Sequence, residues 1–391
     1  MLGNSRIRLL YFAATIPEIR NSTPYQRIVQ LSSYCQVYLI SCAEVPHEVR
    51  DKCEGVFQAP FRTGGLNRLI YPLWAPLIGL HVVLTTGVHL VVSMYPNWSL
   101  LCGALFKLFG YRWAADIFDD PFLWIKVNKA YPGIEKRIGL IIHWLFYHLL
   151  RCSLKLADLV ILAGSSEWLS GFQVDRDRIV EVPNGVDVEW IDSISSDPIP
   201  KARNVTRLCY VGHIRKARGA DLLLDVARRL KERNMLFELV LVGPTEPKEE
   251  QWLTNTIRDY GLHGNILRTG RVQQDKVIAW IRSSDICLYP FPRLKELEYV
   301  YPIKVFEYLA CGKATVASRL KTVETFLHDR KNAILFTPGD PKSMTKSIEA
   351  IVRDSCLRRR LEHNATETAS MFDWNAIMVR VSTKLLETAR V

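Results

Sequence analysis

Two short stretches carry residue types suited to holding an anion. The first is Val211-Gly212-His213-Ile214-Arg215-Lys216-Ala217-Arg218-Gly219-Ala220-Asp221. A strand delivers Gly212 to a tight turn, four basic or potentially basic side chains follow, and Gly219 precedes a helix. Such a loop can clamp a diphosphate electrostatically, although a solvated basic loop has the same composition. The second stretch runs from Tyr301 through Pro302, Ile303, Lys304 and Glu307 to Gly312. Pro302 suits a first helical turn, where its missing N–H costs nothing. Val305, Phe306, Leu309 and Ala310 recur at helical spacing, and Gly312 reads as the stop. Lys304 and Glu307 share a face near the helix start, where unpaired backbone N–H groups and the positive dipole end lie. A cation, free amides and a carboxylate in one place suit a ligand with both phosphates and hydroxyls. An ordinary crossover helix bearing a surface Lys–Glu pair has the same residues.

Several chemistries are excluded by what is missing. There is no G-x-x-x-x-G-K-[ST] and no G-x-G-x-x-G after the first strand, which argues against a P-loop or a common dinucleotide site. The nine cysteines form no C-x-x-C pair and no Cys/His cluster, which favours a reducing compartment over structural zinc. At 391 residues, two domains are expected, and 48% hydrophobic with 23% charged residues indicates packed globular structure. A net charge of +11 calls for an anionic partner: a nucleotide, a nucleic acid or an acidic membrane face. No aromatic–basic module supports nucleic acid. Met1 to Arg8 lack a signal-peptide layout.

Leu69 through Phe106 contain no Asp, Glu, Lys or Arg. The run is long enough to span a bilayer once. Pro72, Pro76, Gly79, His81, Gly87, His89 and Pro96 are expected to break it into pieces, among them a buried strand at 88–93. Buried core plus a membrane-touching helix is the favoured reading, and a true span the lesser one. A second apolar helix is expected over 137–156, flanked by Lys136, Arg137, Arg151 and Lys155; core or membrane-surface packing would suit it, and His143 and His148 on it read as packing residues.

The elements needed to position these stretches alternate. Strands are expected at 6–13, 36–41, 113–118, 159–163 and 179–182, with a helix at about 24–34. A linker is expected over 191–204. Strands then follow at 207–211, 237–242, 265–268, 285–290 and 313–318, interleaved with helices at 220–233, 251–260 and 275–282. This βα alternation calls for two parallel sheets with helices on both faces, and ligands at the carboxyl ends of the strands.

With these motifs in order, the chain resembles the GT-B-fold glycosyltransferases, specifically the retaining group called family 4. Pro183-Asn184-Gly185-Val186-Asp187 matches the family's "PNGVD", and Gly212 to Asp221 matches its diphosphate loop. Asn265 to Val272, Ser284 to Pro290, Pro302-x-Lys304-x-x-Glu307, Asn332 to Asp340 and Phe372-Asp373-Trp374 match in sequence order. The resemblance covers nearly the whole chain. It implies an α/β GT-B protein of two doubly wound, Rossmann-like domains facing each other across a cleft. Residues 1–195 would be the acceptor side, 196–373 the nucleotide-sugar side, and 374–391 a helix packing back toward the first.

The activity implied is transfer of a sugar from a UDP- or GDP-sugar to a glycan or lipid-linked acceptor, with retention and without a metal or other cofactor. By the same resemblance Arg218, Lys304 and Asp119 would be catalytic. Gly212, His213, Arg215, Lys216, Arg271, Val272, Pro302, Ile303 and Glu307 would bind the nucleotide sugar. Asn21-Ser22-Thr23 fall where the family's N-terminal loop borders the acceptor, though a turn and helix cap explain them equally well. The implied setting is cytoplasmic, with contact to the inner face of an anionic membrane left open.

Four departures stand out. His213 replaces an Arg, Arg218 replaces a Lys, and Tyr299 replaces the first Glu of an E-x7-E pair, with Glu296 and Glu298 nearby. The "HD" common at the end of the fourth N-terminal strand is Phe118-Asp119 here. Asp120 before Pro121 reads better as a helix cap than as part of a metal site with Asp116. A nucleotide-sugar epimerase and a degenerate, membrane-associated scaffold are the alternatives.

Overall fold

The computed structural model describes residues 6–390 apart from 14, 60–63, 96–98, 119–143, 146–147, 165, 170–171, 196–198 and 295–296. Two compact units emerge, one of residues 1–185 and 374–391, the other of residues 186–373.

The first unit is built on a parallel sheet of β1 (Arg8–Phe12), β2 (Gln36–Ser41), β3 (Gly55–Gln58), β4 (Leu90–Tyr95), β5 (Trp113–Ile117), β6 (Leu159–Leu162) and β7 (Ile179–Glu181). The strand order is β3-β2-β1-β4-β5-β6-β7, so the winding reverses between β1 and β4. Leu9 and Tyr11 pack into one core layer, Leu10 and Phe12 into another, as the two-residue period of a strand requires. Both faces are covered, which is why these strands read as continuous apolar runs. Trp374, Met378, Val381 and Leu385 of the Trp374–Arg390 helix belong to the first of those layers.

The charge-free run departs from expectation. Pro72, Pro76, Gly79 and His81 do not break it: a single helix runs Gly64–Thr86, with both prolines inside. Each proline deletes one backbone hydrogen bond and costs an isolated helix about 3 kcal/mol. Tertiary burial outweighs that cost. Tyr71, Ala75, Val82 and Val83 are buried against β1 and β2 residues, and Gly79 gives the rings of Phe12 and Phe106 room to meet the helix. A Cβ at Gly79 would lie 2.6 Å from the Phe12 ring. Among the described residues no helix is long and apolar enough to cross a membrane.

The second unit carries β8 (Thr206–Val211), β9 (Phe237–Val242), β10 (Ile266–Gly270), β11 (Ile286–Tyr289), β12 (Ala314–Ser318) and β13 (Ile334–Phe336). Its order, β10-β9-β8-β11-β12-β13, reverses between β8 and β11. The basic loop leaves β8 and the Ile303–Ala310 helix follows β11, so both stretches arise at the reversal point, where open α/β sheets hold ligands. In place of an unbroken linker over 191–204, a helix runs Val188–Ser193; Asp187 caps it by accepting the Trp190 N–H at 2.9 Å.

Candidate active site

Backbone geometry at the end of β8 is set by two glycines. Gly212 sits at φ +131° and donates its N–H to the Val242 carbonyl at 2.9 Å. The chain then makes one short turn, Lys216–Arg218, and enters the Ala220–Glu232 helix through Gly219 at φ +83°. A Cβ on Gly219 would fall 2.1 Å from the Pro290 carbonyl oxygen. Only a residue without a side chain lets this loop lie against the end of β11. Tyr308 ties the same region together from the helix side, its Oη accepting the Val211 N–H at 2.9 Å.

The Ile303–Ala310 helix begins one residue later than expected, with Pro302 as its N-cap rather than inside the first turn. No side chain caps it, so its first N–H groups point away from the helix without a side-chain acceptor. It ends in a Schellman arrangement: Gly312 at φ +64°, its N–H bonded to the Leu309 carbonyl, and the Lys313 N–H bonded to that of Tyr308.

Lys304 is the most unusual group here. Its Nζ is buried and finds no hydrogen-bond partner among the described residues. It lies 4.7 Å from the centroid of the Tyr210 ring and 4.9 Å from that of Phe291. A Cβ on Gly212 would come within 2.5 Å of it, so the glycine keeps open the space that the ammonium enters. Burial pushes the Lys304 pKa well below its ordinary 10.5, the nearby Arg218 guanidinium pushes the same way, and Glu307 opposes them. A desolvated cation between two aromatic faces is stabilised by their quadrupoles, but only in part.

The other basic groups differ in how much of their charge is already committed. Arg215 pairs with Glu246 at 2.9 Å. His213 Nδ1 is 3.4 Å from the same carboxylate, yet its pKa is lowered by burial first and then by Arg218 and Arg215, with Arg271 acting in the same sense. These influences favour the neutral imidazole. Lys216 turns away: it is exposed, with its Nζ 4.4 Å over the Trp252 ring. Arg271 is exposed just beyond Gly270 at the end of β10, and Val272 beside it is half-buried. Ile303 is half-buried and Glu307 is buried. Thus Gly212, His213, Arg215, Arg218, Lys304 and Glu307 are gathered at one end of one sheet, Arg271 acts on the same group, and Lys216 stands apart.

Tyr299 occupies a short turn, Leu297–Tyr299, half-buried beside Lys321. Glu298, next to it, is occupied: its carboxylate accepts the Lys321 N–H at 2.5 Å. Asp119, Asp120, Glu296 and His143 lie outside the described residues. His148 is exposed against the Trp144 ring. Asp116 is engaged in the core of the first unit, accepting from Tyr11 Oη at 2.6 Å and from Arg27 at 2.5 Å. Three groups around Lys304 were not anticipated: Tyr210, Phe291 and Tyr308. Their only sequence signal is an aromatic residue at or just past a strand end, or on the helix itself.

A basic, glycine-containing strand end at the reversal of a doubly wound sheet is shared by many nucleotide-binding proteins, and comparison narrows it. Residues 194–368 match the family model described as glycosyl transferases group 1. The match falls wholly within the second unit. An uncharacterized glycosyltransferase of Methanocaldococcus jannaschii is 29% identical over 257 residues, which is 63% of this chain and 60% of the relative. A phosphatidyl-myo-inositol mannosyltransferase of Mycobacterium leprae is 28% identical over 207 residues, 52% of each chain. The chain therefore spans between half and three-fifths of the length of these curated relatives. The structure of Anabaena HepE in complex with UDP and glucose superposes with a TM-score of 0.69 at 15% identity, covering 97% of this chain and 100% of the other. The two Rossmann-like units thus have the GT-B fold of glycosyltransferases.

Proposed function

We propose that the protein is a glycosyltransferase that moves a sugar from a nucleoside diphosphate donor to a glycan or lipid-linked acceptor. The observation that carries this reading is Lys304, a buried cation without a hydrogen-bond partner among the described residues, beside Arg218 and above Gly212. The group that Lys304 lacks is an acceptor, and an anion with several acceptor oxygens supplies it. The family match and the UDP and glucose bound by HepE supply the chemistry of that anion.

In the reaction, the bond from the anomeric carbon to the diphosphate oxygen breaks as the acceptor hydroxyl oxygen bonds to the same carbon. The hydroxyl proton passes to the departing diphosphate. Attack from the face that the diphosphate leaves gives retention. The difficult part is the negative charge that builds on the leaving group. Lys304, Arg218, the Gly212 turn and the uncapped helix start at Pro302 and Ile303 stabilise it by preorganised electrostatics, a task that needs no metal. Arg215 contributes less, because Glu246 already neutralises it. Glu307 accepts from the ribose hydroxyls, Arg271 and Val272 border the base, and neutral His213 donates or accepts a hydrogen bond without adding charge. Asp119 is assigned to the acceptor. The protein works peripherally at a membrane, which suits a lipid-linked acceptor.

The test is thermal denaturation of the purified chain with UDP, GDP, ADP and TDP and their common sugar conjugates. A ligand that binds only the native state raises the melting temperature by mass action, and UDP or GDP is expected to do so. Absence of a shift with every nucleotide, in protein shown to be folded, would overturn the reading in favour of a degenerate scaffold. Where a donor binds, Arg218→Ala and Glu307→Ala are expected to abolish its consumption while leaving the fold intact; unchanged turnover would refute the site.

A further inference from the structure

β8 and β11 are neighbours at the reversal of the second sheet, yet they part before they end. β8 stays in register with β9 to its last residue, Val211↔Val242, and β11 stays in register with β12 to Tyr289↔Ala317. Between β8 and β11 the pairing stops at Cys209↔Cys287, two residues short of both strand ends. Gly212 turns its N–H to the Val242 carbonyl of β9, so the Val211 N–H, one residue earlier, points the other way, into the gap. An N–H left there without an acceptor is costly. Tyr308, fully buried on the Ile303–Ala310 helix, supplies the acceptor: its Oη lies 2.9 Å from the Val211 nitrogen. The same hydroxyl is 3.5 Å from the Leu288 carbonyl of β11, so one side chain spans the split.

Lys304 stands one helical turn before Tyr308, and residues four apart share a helix face. Its ammonium lies between two rings, one from each parting strand: Tyr210 on β8 at 4.7 Å and Phe291 just past β11 at 4.9 Å. The fit is close, since a Cβ on Gly212 would meet Nζ at 2.5 Å. Tyr210 Oη donates to the His213 carbonyl at 3.1 Å and closes the turn that follows. The bond from Val211 to Tyr308 therefore fastens the helix that carries Lys304 to the strand that carries Tyr210 and Gly212.

We infer that Tyr308 is a positioning residue for the donor diphosphate. Its side chain fills the split between β8 and β11, and its bond to Val211 fixes the Gly212 turn against Lys304, so that turn and ammonium meet the same anion. Tyr308 itself acts through Val211 and Lys304. The inference deepens the transferase reading and rests on it.

Tyr308→Phe keeps the ring, and with it the packing, and removes only the acceptor. In the unliganded protein, deuterium exchange at the Val211 amide is expected to quicken roughly tenfold or more relative to that at Val240 in β9. Calorimetry with UDP and GDP, at a temperature where the variant is shown to be folded, should give a Kd roughly tenfold weaker, because the displaced ammonium no longer makes its full charge-assisted contact. A merely structural hydroxyl would lower the melting temperature and leave Kd unchanged. Tyr71→Phe, which removes another buried hydroxyl in the first unit, is the control for that pattern. In a Lys304→Met background, Tyr308→Phe should have little further effect on Kd, since the group it positions is gone. If the parent binds nucleotide and Tyr308→Phe binds it as tightly, or if the loss persists undiminished without Lys304, the positioning role is overturned while the transferase reading stands. Unchanged exchange at Val211 would overturn it too, because the hydroxyl then does not hold the turn. If the parent binds no nucleotide, the transferase reading falls and this inference falls with it.

Discussion

Replacing Lys304 by Met separates the cost of holding a cation at the site from its use. Met keeps the length and apolar stem, fits between Tyr210 and Phe291, and removes the charge. In the free protein the ammonium is desolvated without a hydrogen-bond partner among the described residues, so its loss is expected to stabilise the chain by about 1 kcal/mol, a rise of roughly 2–4 °C in melting temperature. The sign of the pH dependence follows from the depressed pKa. Between that depressed value and 10.5 the unfolded chain binds more protons than the folded one, so parental stability rises with pH across that window. The advantage of Lys304→Met should therefore be full below the depressed value and vanish as pH approaches 10.5. With a nucleoside diphosphate present the order reverses, because the variant loses a charge-assisted contact of about 1.5–3 kcal/mol, or roughly 10- to 150-fold in Kd. Calorimetry of UDP or GDP binding, together with melting curves from pH 6 to 10, checks both halves. Unchanged nucleotide affinity together with unchanged or lower stability would refute the reasoning.

Gly219→Ala should destabilise the chain by about 2 kcal/mol or more, because its Cβ would fall 2.1 Å from a backbone oxygen at a φ of +83° that L residues avoid. Denaturant unfolding measures this, and a loss below 0.5 kcal/mol, roughly the noise of a neutral surface change, would contradict it. Asp116→Asn leaves Arg27 fully buried without its 2.5 Å counter-charge and should cost about 3–5 kcal/mol, read from the urea midpoint; a near-neutral result would mean that the pair is not formed in solution.

Much of this architecture was legible in local pattern. Apolar runs such as Phe237–Val242, and the helical spacing within Ala220–Glu232, arise from periods of two and 3.6 residues that each segment carries by itself. The glycine turn after β8 and the Gly312 stop were readable too, because a left-handed backbone constrains residue type whatever surrounds it. The helix through Pro72 and Pro76 was not. Local rules forbid it, and it stands because Tyr71, Ala75 and Val82 bury against strands far away in sequence.

The same division runs through the site. Residue types alone made Gly212 to Arg218 and Lys304 to Glu307 candidates for an anion site, alongside a solvated loop and an ordinary crossover helix, because charge, glycine spacing and a helix start are properties of short segments. Which cation remains available is a tertiary matter. Arg215 meets Glu246 and Lys216 meets Trp252 only because β8 and β9 lie side by side. Lys304 is isolated because the reversal of strand order brings the ends of β8 and β11 together, setting Tyr210 and Phe291 around its ammonium and Gly212 beneath it. Burial depends on neighbours, and those neighbours are separated from Lys304 by crossovers that no local pattern records.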